Sequence, residues 1–83
     1  MNHVKILLFA TLVERAGKQK SIEVTLPPAA TVRDLKDRVA ETYPALRASL
    51  ASVIVAIDRE FAFDPDVIPA GAEVALFPPV SGG

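Results

Sequence analysis

The 83-residue sequence has no cysteine and a single histidine, His3, the third residue. The lack of cysteine excludes a disulfide framework and suits a reducing compartment. It also means that any sulfur chemistry proceeds without a thiol of this chain. With one histidine there is no histidine pair or cysteine–histidine cluster to hold a metal, and Ser81 has no histidine near it in sequence to make a nucleophile. Glycine is scarce too, at four residues. Gly17 and Gly71 stand alone and read as turn residues, so no glycine-rich phosphate loop exists. Charge of one sign is missing: nine basic and ten acidic residues, interspersed, leave a net charge of −1. That balance provides no field for nucleic acid or a membrane surface. The acid pairs Asp64/Asp66 and Glu14/Glu60 read as solvated loop charges. Within its own side chains the sequence carries no catalytic apparatus and no bound cofactor.

What is present is apolar. Hydrophobic residues make up 51% of the chain, enough for one domain but not a second core, with about 60–65% of the unfolded surface buried on folding. The run Val4-Lys5-Ile6-Leu7-Leu8-Phe9-Ala10-Thr11-Leu12 superficially resembles a signal-peptide core. No basic run precedes it, Glu14-Arg15 follows at once, and it is too short to span a bilayer. It reads as a buried strand, and the expected location is the cytoplasm.

Val4 to Phe9 is strand-length and rich in aliphatic residues. Ala10 to Ala16 reads as a short helical turn closed by Gly17. Ser21 to Leu26 alternates, with Ile22, Val24 and Leu26 on one face of a second strand, and Pro27-Pro28 stops it. Thr31 and Asp34 have capping-box spacing. From there Val32, Leu35, Val39 and Tyr43 recur at helical spacing until Pro44 ends the helix. Ala45 to Ser52 is a helical turn or loop and Val53 to Ile57 a third strand. Asp58-Arg59-Glu60 turns the chain into Phe61-Ala62-Phe63, Asp64 to Gly71 is loop, and Glu73 to Phe77 is the final strand. The order β-β-α-β-β implies an α+β fold, a β-grasp (ubiquitin-like) mixed sheet of four to five strands with one main helix across one face. The domain is expected to span residues 1–77, with residues 78–83 a flexible tail.

That tail, Pro78-Pro79-Val80-Ser81-Gly82-Gly83, holds the other two glycines. The prolines keep it extended, and six residues reach about 20 Å. Gly82 and Gly83 have no side chains, so a narrow channel of a partner enzyme can admit them. The carboxylate of Gly83 is a poor electrophile until adenylation by ATP supplies a leaving group. A partner's persulfide can then deliver sulfur and leave a thiocarboxylate. Strand parity adds a docking surface: if the helix covers Ile6, Leu8, Val74 and Leu76, then Phe9 and Phe77 lie on the open face, where Phe61 can join them.

The run from Val4 to Phe9-Ala10, then Glu14, Gly17, Thr31-Val32, Tyr43-Pro44, Val55-Ala56-Ile57, Gly71-x-Glu73-Val74-Ala75-Leu76 and the terminal hexapeptide resemble one family in order and spacing. It is that of the molybdopterin synthase small subunit, the MoaD-type ubiquitin-like sulfur carrier. The resemblance covers the whole chain. It implies that Gly83 is adenylated, with ATP used in trans, by an enzyme similar to ubiquitin-activating enzymes, and is then thiocarboxylated. It implies that the tail enters the large synthase subunit and sulfurates cyclic pyranopterin monophosphate within a heterotetramer. Gly82 is then the adjacent thread, while Phe9, Phe61, Phe77, Pro78, Pro79, Val80 and Ser81 contact partners. Val13, Asp58 and Ala72 depart from the residues usual in that family, which are arginine, asparagine and aspartate. Three alternatives stay open: a carrier for another pathway such as thiazole synthesis, a ubiquitin-like modifier whose acceptor is an amine, and a β-grasp interaction module with incidental glycines.

Overall fold

The computed structural model describes residues 2–79. The chain runs β1 (Asn2–Leu8), α1 (Thr11–Arg15), β2 (Ser21–Leu26), α2 (Val32–Thr42), a 3-10 turn (Pro44–Leu46), α3 (Arg47–Leu50), β3 (Ile54–Ile57), β4 (Glu60–Ala62) and β5 (Val74–Phe77). The five strands form one mixed sheet in the order β2-β1-β5-β3-β4. β1 and β5 pair in parallel at its centre, and the other neighbours are antiparallel. This is the β-grasp arrangement that the element order implies, with all five strands formed.

The alternation in β1 and β2 decides which face is covered. Val4, Ile6 and Leu8 are buried together with Ile22, Val24 and Leu26, and the register Val4↔Val24 and Ile6↔Ile22 puts them in matching rows. Val74 and Leu76 of β5 continue those rows opposite Ile6 and Leu8. Against this face α2 packs Val32, Leu35 and Val39, each fully buried. Leu12, Leu46 and Leu50, from the short helical segments, close its open end. Among the described residues no polar or charged side chain is buried, so this core is held by apolar contact alone.

The start of α2 is tied down at every early backbone donor, which a helix cannot do from within. Thr31 Oγ1 accepts from the Asp34 amide, and the Asp34 carboxylate accepts from the Thr31 amide, completing the capping box. The Val32 and Arg33 amides donate to the carbonyls of Asp66 and Asp64. Residues 64–67 thus clamp the helix, and Asp64 and Asp66 lie in the loop and reach solvent as expected, while their carboxylates also make local contacts. The Asp64 carboxylate sits 2.7 Å from Lys36 Nζ, and Asp66 accepts from the Phe63 amide. Glu14 and Glu60 are exposed, but on α1 and β4 rather than in loops.

The Lys36 hydrogen bond, opposed by partial desolvation and aided by the nearby charges of Lys36 and Arg33, holds Asp64 below the ordinary carboxylate range. A carboxylate depressed in the folded state stabilises fully above its unfolded-state pKa. The contribution is lost as pH falls through the lower, folded value. Asp64→Asn should therefore flatten part of the acid limb of a urea-denaturation series, while leaving stability near neutral pH lower than wild type. An acid limb identical to wild type would show that the pair contributes nothing.

Ala10, between β1 and α1, has φ 53° and ψ −130°, a region that glycine enters freely and other residues enter under strain. It is held there because the Leu12 amide closes a turn onto the Phe9 carbonyl at 3.1 Å. Ala10→Gly should raise the unfolding free energy by about 1 kcal/mol. A thermal melt checks this, and a lower midpoint would mean that Ala10 is unstrained.

Candidate functional site

The face of the sheet opposite α2 carries the candidate site, and the strand registers explain its shape. Leu7 pairs with Ala75, Ala75 with Ala56, and Ala56 with Phe61, giving one row across four strands. Two alanines in the middle of that row leave a depression. Phe61 walls it on the β4 side, and it encloses about 300 Å³. One row on, Phe77 pairs with Ile54. Phe9, which follows Leu8 at the end of β1, comes up beside it, and the two rings stack with centroids 4.5 Å apart and planes 13° from parallel. Phe77 is half-buried, Phe9 is 41% exposed and Phe61 76% exposed. The structure therefore brings Phe9, Phe61 and Phe77 to one face, as strand parity implies.

The register itself depends on a two-residue turn. Asp58 and Arg59 both have left-handed backbone, φ 49° and 70°, which suits the tight hairpin between β3 and β4 and sets Ile57 opposite Glu60. Asp58 Oδ1 accepts from the Glu73 amide at 2.9 Å, and the Asp58 amide donates back to the Glu73 carbonyl at 2.8 Å. The departure from asparagine at this position therefore leaves the contact intact, because an asparagine presents the same oxygen. Val13 and Ala72, the other two departures, are half-buried and packed on the core. The sequence reading missed Leu7, Ala56 and Ala75 as the floor of the depression and Arg59 and Glu73 as its charged end. Recognising Asp58-Arg59 as a two-residue turn gives Ala56 opposite Phe61, which was the available signal.

β5 ends at Phe77, so the stacked pair lies at the root of the tail. Pro78 is half-buried and Pro79 exposed. They line a second groove with Thr11, Leu12 and Arg15 of α1, and with Ala48, Ser49, Ser52 and Val53. Val80, Ser81, Gly82 and Gly83, including the residue expected to carry the chemistry, lie outside the described residues. Among the described residues no group of three or more histidine, cysteine or acidic side chains comes together to hold a metal.

The ThiS family profile matches residues 6–83. The chain belongs to that family. A relative from Dictyostelium discoideum, named molybdopterin synthase sulfur carrier subunit, is 38% identical over 85 residues, covering 99% of this chain and 98% of its own. Small archaeal modifier protein 1 of Haloferax volcanii is 37% identical over 84 residues, covering 92% of this chain and 95% of its own. Its crystal structure superposes on this ThiS-family chain with a TM-score of 0.86 at 34% identity, covering 99% of this chain and 100% of that one. A chain from the complex of subunits 1 and 2 of molybdopterin-converting factor from Helicobacter pylori shares the fold, with a TM-score of 0.68 at 17% identity over 98% of this chain and 99% of that one. The ubiquitin-like fold and the kinship with molybdopterin synthase sulfur carriers are thus those that the sequence resemblance implies. No helix among the described residues is long and apolar enough to cross a membrane.

Proposed function

We propose that this chain is the sulfur-carrying small subunit of a molybdopterin synthase, with Gly83 as the residue that bears the sulfur. One juxtaposition carries the reading. β5 presents Phe77 on an open apolar face and leads directly into the Pro78-Pro79 root of the tail. A protein seated on Phe9, Phe61 and Phe77 is therefore seated where the tail departs. Kinship with full-length sulfur carrier subunits supports the same conclusion.

The chemistry follows from what a terminal carboxylate can and cannot do. A Gly83 carboxylate oxygen attacks the α-phosphorus of ATP in an adenylating partner that resembles ubiquitin-activating enzymes, and pyrophosphate leaves. The sulfur of a donor persulfide then displaces AMP from the acyl carbon. A thiol reductant cleaves the resulting sulfur–sulfur bond and releases the Gly83 thiocarboxylate. Within the large synthase subunit this nucleophile gives its sulfur to cyclic pyranopterin monophosphate. The carrier contributes the docking face and the thread, Gly82 included, while Val80 and Ser81 line the partner's channel. The partner enzymes contribute the catalytic groups and the ATP site.

The purified chain alone should form no pyrophosphate from labelled ATP. With the adenylating partner and no sulfur donor, it should support one burst limited by the scarcer protein, because each carrier has one Gly83 to consume. Pyrophosphate formed by the chain alone would overturn the reading. Likeness to small archaeal modifier protein 1 favours a second reading, in which the same adenylate is passed to a lysine amine. A ladder of conjugates in cells would favour that reading. Co-purification with a large synthase subunit, and a native mass heavier by the difference between sulfur and oxygen, would favour the first.

A further inference from the structure

The groove at the root of the tail differs in chemistry from the aromatic face beside it. It encloses about 260 Å³ between α1 and α3, with Pro78 and Pro79 as one wall. Among the described residues Arg15 is the one charged residue lining it, and Thr11, Ser49 and Ser52 add hydroxyls. No carboxylate among the described residues lines it, in a chain whose net charge is −1. The groove is thus a local concentration of donors on a protein that is otherwise slightly acidic.

Its position is fixed rather than incidental. Thr11 lies two residues after Phe9, and Pro78 directly follows Phe77. Stacking of those rings at 4.5 Å therefore holds both walls of the groove to each other. The Phe9–Leu12 turn, with Ala10 strained at its centre, sets the direction of α1 and hence of Arg15. The groove and the stacked pair therefore flank the same root of the tail.

We propose that the groove is a second docking point, in which Arg15 receives a carboxylate side chain at the mouth of the partner's tail channel. The inference rests on the docking reading above and adds the chemistry of the partner's surface. An acidic residue suits the site because a guanidinium takes a carboxylate in two parallel hydrogen bonds and the hydroxyls of Thr11 and Ser49 can donate to it as well. Arg15 is a positioning residue: it acts at the root of the tail, on Pro78 and Pro79, and the reactive Gly83 is four positions further along the chain. Holding the root at both the apolar and the cationic point sets the angle at which the tail enters.

Full-length carrier, thiocarboxylated at Gly83, and purified large synthase subunit test this directly. In calorimetric titrations at low salt Arg15→Glu should weaken binding about tenfold and Arg15→Lys by less. The gap to wild type should narrow as salt is raised, because an exposed pair is screened. In single-turnover sulfur transfer the half-saturating carrier concentration should rise while the maximal rate stays near wild type. Arg15 is exposed, so an unchanged melting temperature is the expected control. Phe77→Ala run in parallel separates two failures. If Phe77→Ala weakens binding but Arg15→Glu binds like wild type, the groove carries no docking contact and the face stands. If neither variant weakens binding, the docking reading fails, and this inference fails with it. An Arg15→Glu deficit that ignores salt would also overturn the proposal, because no charge pairing would then be involved.

Discussion

Deleting Gly83, or adding one residue after it, should abolish sulfur transfer while the domain melts as before. The carboxylate that must reach the α-phosphorus of ATP moves by about 3.3–3.6 Å per residue. Positioning of reacting groups is so demanding that a displacement of about 1 Å can cost two orders of magnitude in rate. A whole residue removes turnover to background. The core is untouched by the change, since its fully buried side chains, from Ile6 to Leu76, all come from the globular body. Two measurements read the outcome: product formed from carrier, adenylating partner and large subunit, and a thermal melt of each variant alone. An extended carrier that turns over without first being trimmed would show that Gly83 is not the acceptor.

Phe77→Ala has the second large effect, and on binding more than on folding. Phe77 is half-buried and stacked on an exposed Phe9, so truncation removes an aromatic pair worth about 0.5–1.5 kcal/mol beyond its area and opens no enclosed cavity. The same ring at the centre of an interface behaves as an anchor, where truncation costs about 2 kcal/mol or more, some thirtyfold in affinity. Both the large synthase subunit and the adenylating enzyme should bind the variant more weakly. Leu76→Ala is the contrast: Leu76 is 1% exposed on the helix-covered face and its loss should cost about 2–5 kcal/mol of stability. A Phe77→Ala variant that loses that much stability and keeps its affinity would place the ring in the core and the partner elsewhere.

Much of this protein is legible from sequence because the signals are local. Thr31 and Asp34 mark the start of α2 through a reciprocal pair of hydrogen bonds three residues apart, and Pro44 ends it by its ring geometry. The alternation of Ile22, Val24 and Leu26 determines which side of β2 is buried before any partner strand is known. Parity along β1 and β5 likewise separates Phe9 and Phe77 from Ile6, Leu8, Val74 and Leu76, because side chains in a strand alternate between faces. The composition, with no thiol and one histidine, directs attention to the Pro78–Gly83 tail.

Tertiary structure decided the rest, since it depends on residues far apart in the chain. No local pattern shows that β5 lies in parallel beside β1, which is what makes two separately predicted phenylalanines into a stacked pair. The small residues Ala56 and Ala75 are unremarkable until the registers put them side by side, where their lack of bulk makes the depression beneath Phe61. Asp64 reads as a loop charge until the chain folds back 28 residues onto Lys36, and Arg15 as a surface charge until Pro78 and Pro79 come to rest beside α1. Local sequence determines which element forms and which face it buries, because those choices are settled within a few residues. Which exposed side chains meet is settled only when the strands take their order.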